Sequence, residues 1–291
     1  MQVGSVGWNL GYKVLAVALA MLAFAGNSLL CRLALKSTGM DATSFTSIRL
    51  VAGALVLWLI LRWRQTHSTA TEAAGDWCSA AALFVYAAGF SWAYVSLSAA
   101  TGALLLFGAV QVTMMGWALY RGEPFKTLQW FGLLLACAGL VVMLLPGAET
   151  PSWPMALLML LAGAAWGIYS LRGARSKDFM AATAGNFWRA SVLALVLTLV
   201  IMPTLRLNLT GVLYAVLAGA VASGVGYALW YSVMGQISTT TAASVQLTVP
   251  VIAALGAVLW LGEPLTERLF WCALAVLGGV ALVIQAKPAC A

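Results

Sequence analysis

Ten apolar stretches, each about long enough to cross a lipid bilayer, take up nearly the whole of this chain; they run over 13–36, 44–63, 77–97, 101–120, 127–146, 152–171, 179–203, 210–233, 240–261 and 266–285. A helix crossing a hydrocarbon core of ~30 Å needs about 20 such residues. Of the 291 residues 63% are hydrophobic and 8% charged, against roughly 45–50% and about 25% in a soluble domain. So few charges cannot cover the surface of a water-soluble fold of this size. A soluble enzyme, a nucleic-acid-binding module and a disordered chain are excluded. The expectation is an all-α integral membrane protein of ten transmembrane helices.

The connectors are too short to be domains, and they carry helix breakers: Gly39, Gly75, Gly122-Glu123-Pro124, Pro146-Gly147, Pro151, Pro203 and Gly262-Glu263-Pro264. The first run, with Lys13 before it and Ala23-Phe24-Ala25 within it, has the outline of a secretory signal. It continues apolar to Leu30, which favours a membrane span. The net charge of +7 reads as loop bias, not as a nucleic-acid surface. With the N-terminus in the cytoplasm, nine Lys/Arg lie on the cytoplasmic side (Lys13, Arg62, Arg64, Arg121, Lys126, Arg172, Arg175, Lys177, Lys287). Four lie opposite: Arg32, Lys36, Arg206 and Arg268. That bias puts both termini inside. The five cysteines follow no metal-ligand or disulfide spacing.

The halves match at an offset of 140 residues: GWALYRGEP at 116–124 against GAVLWLGEP at 256–264, Ser98 and Thr101 against Ser238 and Thr241, Gly139 against Gly279, and Arg49 against Arg189. The division expected is a five-helix repeat over 1–146 and a second over 147–291. Five is odd, so the second copy enters the membrane from the other side. Inverted repeats are how many secondary transporters build two gates around a midplane site. Ten helices as five plus five, the paired Gly-Glu-Pro turns and the paired arginines resemble the drug/metabolite transporter superfamily, and within it the EamA-type exporters. The resemblance covers essentially the whole chain. It implies export of amino acids or other metabolites across a bacterial inner membrane. Where the family often has tryptophan late in the first helix, this chain has Phe24, which weakens the transfer of an aromatic contact to that helix.

No Asp or Glu lies in the middle of an apolar run, and the single histidine, His67, is in a polar loop. Ligand sets for an intramembrane metalloprotease or a magnesium-dependent prenyltransferase are missing. The residues ask for no cofactor or metal, and direct protonation of a buried acid is not an expected coupling device. Arg49 and Arg189 are costly in lipid, by at least about 2.5–3.5 kcal/mol at a helix centre. Two roles stay open for them: holding a substrate carboxylate, or capping backbone carbonyls. The neutral polar and aromatic set is the better cavity candidate: Asn27, Tyr86, Gln111, Trp166, Tyr169, Tyr227 and Gln246. Gln111 and Gln246 are placed halfway along their helices, and Trp166, Trp188 and Tyr227 are too deep for an interfacial belt. Pro250 predicts a kink near 246. Glu123 and Glu263 are expected to be structural, each meeting the N-terminal dipole of the helix that follows.

The function expected is secondary transport, the export of small amphipathic metabolites, above all amino acids with apolar or aromatic side chains. The partners are a small-molecule substrate and the bilayer, with no nucleic acid, and oligomeric state stays open. The alternatives are a multidrug-type exporter of lipophilic compounds, an intramembrane lipid-modifying enzyme and a channel.

Overall fold

A computed structural model describes residues 10–65, 74–122, 124–145, 151–173, 176, 178–201, 206–234 and 245–286. The described elements are helical: α1 (Leu10–Thr38), α2 (Ala42–Gln65), α3 (Trp77–Ala93), α4 (Ala99–Tyr120), α5 (Thr127–Leu144), α6 (Trp153–Gly173) and α7 (Phe179–Ile201). Then come α8, α9 (Thr248–Leu261) and α10 (Glu267–Ala286). Helix α8 has an α-helical start (Leu209–Leu217), a π-helical middle (Ala218–Val225) and an α-helical end (Gly226–Met234). Among the described residues eight helices are long and apolar enough to cross a membrane, while α3 and α9 are shorter. The protein is an integral membrane protein of helices.

The breakers act where the sequence puts them. Gly262 ends α9 in the left-handed region at φ 61°, and Gly122, at the same register in the first half, does so for α4 at φ 77°; an L side chain is strained there. Pro250 is expected to break its helix near 246, and the interruption falls at Leu247. It lies in the first turn of α9, where its missing N–H leaves no bond unmade, and the helical residues 245–246 are separated from α9 by a turn at Leu247. Gln246 is helical and half-buried on the N-terminal side of that turn, and residues 235–244 before it lie outside the described residues. Helix α1 runs unbroken through Ala23–Ala25 as one long span.

The packing carries an internal two-fold pattern. Helix α5 packs on α10, α2 on α7 and α4 on α9. Helices α3 and α4 pack on α6, as α8 and α9 pack on α1; α3 packs on α7, as α8 packs on α2. Exchanging α1–α5 with α6–α10 leaves this list unchanged. Small residues of α5 and α10 pack against each other: a Cβ on Gly132 would lie 2.4 Å from the Gly279 carbonyl oxygen. Close backbone approach of this kind is what drives association where lipid is as apolar as the side chains.

Candidate functional site

Halfway along the bundle, five helices surround an aromatic cavity. Helix α1 gives Phe24, Asn27 and Ser28, α3 gives Tyr86 and Phe90, and α4 gives Leu106 and Phe107. Helix α6 gives Trp166, and α8 gives Ala222, Ser223 and Tyr227. Ala222 and Ser223 belong to the π-helical stretch, whose wider turn changes which face of α8 points inward. Trp166 lies at the centre. Tyr86 stacks on it at 5.6 Å between centroids with planes 21° apart, and Phe107 meets it edge-on at 5.2 Å. Its Nε1 donates to Tyr227 Oη at 3.0 Å. Phe24 packs on Tyr227 at 5.4 Å. The free space is about 20 Å³, room for roughly one water and far from the ~300 Å³ or more of a ligand pocket. In this conformation the rings close on one another.

Behind the cavity, on α2, Arg49 is among the most deeply buried large side chains, 2% exposed. Its Nη1 donates to Asn27 Oδ1 at 3.3 Å and its Nη2 to the Ala87 carbonyl at 3.1 Å. The guanidinium lies 4.9 Å from the centre of the Phe90 ring and 5.6 Å from that of Tyr86. Asn27 Nδ2 in turn donates to Tyr86 Oη at 3.4 Å.

At one end of the bundle a buried ion pair closes the structure. Arg32, well inside α1, donates from Nε to Glu263 Oε1 at 2.9 Å, and from Nη1 to the carbonyls of Tyr94 and Val95. Glu263 Oε2 accepts from the Ala99 amide at 2.7 Å, at the start of α4. The other end holds a polar cavity of about 340 Å³, lined by Asp76, Ser79, Arg172 and Asn186 among others. Arg172 stands at the register of Arg32 plus 140 but pairs with Asp76 at 2.9 Å.

Burial works to raise the Asp76 carboxyl, but hydrogen bonds from the Ser79 hydroxyl and amide and from Arg172 outweigh it and hold it at about 2, against an ordinary 3.8. A folded value below the unfolded one means the contribution is complete above the unfolded value and is lost as pH falls through the folded one. Asp76→Asn is therefore expected to lower the melting temperature by the same amount at pH 7 and pH 5. A difference that shrinks between those two values would show that other groups set it.

A family model for EamA-like transporters matches residues 11–145 and again 153–285. The chain belongs to the EamA-like transporter family. It is 56% identical over 274 residues to an uncharacterized protein of Pseudomonas aeruginosa, covering 94% of this chain and 95% of that one. A solved crystal structure shares the fold with a TM-score of 0.67 at 20% identity, covering 95% of this chain and 99% of that one. The family's members are membrane transporters, which places this chain in the drug/metabolite transporter superfamily.

Of the residues singled out in the sequence, the structure brings Asn27, Tyr86, Trp166 and Tyr227 together in the cavity. Tyr169 is buried one turn along α6 from Trp166, outside the cavity wall, and donates to Thr183 Oγ1 at 3.4 Å. Gln111 is buried on α4 but does not line the cavity, and neither does Gln246. Trp188, expected to be too deep for the interface belt, is 64% exposed on the outer face of α7. The two arginines part company. Arg189 is half-buried and donates from Nη1 to the carbonyls of Ala74 and Gly185, a capping role at the α2–α3 connection. Arg32, counted among the charges on the side opposite the cytoplasm, is a buried residue of α1 and leaves that tally. Glu263 meets the N-terminus of α4 and not that of α10, the helix that follows it. Its counterpart Glu123 lies outside the described residues, as do Ser238, Thr241 and His67. Sequence reasoning missed Phe24, Phe90, Phe107 and Ser223. For Phe24 the signal existed: it occupies the position where the family often carries tryptophan.

Proposed function

We propose that the protein is a secondary transporter of the inner membrane. It exports small amphipathic metabolites, above all amino acids with aromatic or apolar side chains, by alternating access. The observation that carries this reading is the aromatic cavity, whose walls come from α1, α3 and α4 on one side and α6 and α8 on the other. A site shared by two halves with interchangeable packing is suited to opening first to one side and then to the other. On this reading the ten helices all span, the two five-helix repeats (1–146 and 147–291) are inverted, and both termini are cytoplasmic; the loop charge bias supports that orientation. Substrate site residues are Asn27, Tyr86, Trp166 and Tyr227, with Phe24 added. The closed rings and the ion pair of Arg32 with Glu263 describe one state of the cycle.

The test is counterflow in proteoliposomes against a panel of radiolabelled amino acids. Uptake by the wild type is expected to be saturable and strongest for aromatic and large apolar ones. Trp166→Ala is expected to raise the apparent KM about tenfold at near-normal expression, the scale of one lost aromatic contact. Gln246→Ala should leave it unchanged. Wild-type kinetics in Trp166→Ala would move the site elsewhere.

A further inference from the structure

We propose that the cavity selects its ligand by a carboxylate, received by the hydroxyls of Tyr86 and Tyr227, and that the ligand's amino group is dispensable. This names the recognised group of the site in the reading above and rests on that reading.

The argument is one of hydrogen-bond direction. A guanidinium can only donate. Because Arg49 gives to Asn27 Oδ1, the amide's orientation is settled, and its Nδ2 is the group that faces Tyr86 Oη. The Tyr86 oxygen accepts from behind, which leaves its own proton to be given forward, on a ring that lines the cavity. The opposite wall repeats the logic with different residues. An indole nitrogen also only donates, Trp166 gives to Tyr227 Oη, and the Tyr227 proton is likewise left to be given. Two phenol donors thus stand on facing repeats around one tryptophan.

Charge points the same way. Among the described residues no carboxylate lines this cavity or is seen paired with Arg49; Glu263 pairs with Arg32 and Asp76 with Arg172. A buried cation without a counter-ion is expensive, and ring faces offset only part of that cost. Arg189, its counterpart at the same register, is half-buried and spends Nη1 on two carbonyls; Arg49 gives Nη2 to the Ala87 carbonyl but its Nη1 to the Asn27 amide oxygen, next to the cavity. Arg49 instead stands behind the donor chain, so an anion at the tyrosines would supply the missing negative charge through Asn27. A second cation in the cavity would meet the field of Arg49. The body of the ligand inserts between Tyr86 and Trp166, with Phe24 and Phe107 on its flanks. Entry requires α3 to part from α6, one of the contacts between the two halves.

The class of ligand is therefore a monocarboxylate with an aromatic or apolar body. The test uses three matched probes on the full-length protein in nanodiscs at neutral pH: phenylalanine, 3-phenylpropanoate and phenethylamine. Binding is read by equilibrium dialysis, and transport in proteoliposomes. The acid and the amino acid are expected to bind comparably, with the amine at least about tenfold weaker. Tyr86→Phe removes only the hydroxyl. It should weaken the acid and the amino acid about tenfold, the scale of a hydrogen bond to a charged group, and leave the amine as it was. Arg49→Gln serves as a second variant where it folds, with the same ranking of losses. Amine binding as tight as that of the acid, or a Tyr86→Phe effect equal on all three probes, overturns the proposal while leaving an aromatic-amphipath transporter intact. If none of the three binds, that transporter reading falls and this one with it.

Discussion

Glu263→Gln is expected to cost the protein about 3–5 kcal/mol of stability, the range for removing one partner of a buried ion pair. Both partners are buried, Arg32 at 8% and Glu263 at 6% exposure. Arg32 bonds to Glu263 and to the carbonyls of Tyr94 and Val95, while Glu263 also receives the Ala99 amide. One carboxylate thus fastens α1, the α3–α4 turn and the α9–α10 turn. Glutamine keeps the shape and one acceptor, but it leaves a buried guanidinium without its counter-charge. The measurement is the thermal midpoint in detergent, together with a double-mutant cycle against Arg32→Met. The double variant should be less destabilised than the sum of the singles, because removing both charges leaves neither unpaired. An unchanged midpoint in Glu263→Gln combined with altered substrate preference would make Glu263 a substrate residue instead.

The second large effect is expected where α5 meets α10. A Cβ on Gly279 would come within 2.5 Å of the Gly132 carbonyl oxygen and 2.7 Å of the Ala136 amide nitrogen. These are backbone atoms held in helices, so no side chain can turn aside to make room. Gly279→Leu must push the two helices apart and is expected to cost about 3 kcal/mol or more, at or beyond the upper end for overpacking. Its neighbour supplies the control: a Cβ on Gly278 meets nothing within 4 Å. Gly278→Ala should be neutral or slightly stabilising, since alanine is the better helix former. Expression level and melting temperature of the two variants decide the matter. Equal behaviour would mean that α5 and α10 do not pack as described.

That this chain lives in a bilayer, and where α4 and α9 end, is legible in its residues alone. Some 20 apolar residues in succession have no other use, and Gly122 and Gly262 terminate their helices in a conformation glycine tolerates. The internal repeat was legible too, because Gly-Glu-Pro and an arginine recurring in one register are not what apolar composition produces by chance. The tertiary structure decided which side of each helix faces inward. In water the buried face is marked by its apolarity; in lipid both faces are apolar, and the sequence carries no such mark. Trp166 and Trp188 therefore looked alike, yet one is the centre of the cavity and the other lies on the outer face. Gln246 looked like a mid-helix cavity amide, yet a turn at Leu247 interrupts the helix beside it and it does not line the cavity. Arg49 and Arg189 share a register and part in role. Gly185 lets the α2–α3 connection reach Arg189, while Arg49, besides Phe45 on its own helix, is enclosed by Tyr86 and Phe90 of α3 and bonded to Asn27 of α1. Those neighbours are brought in by helix packing, a long-range property that no local stretch of residues encodes.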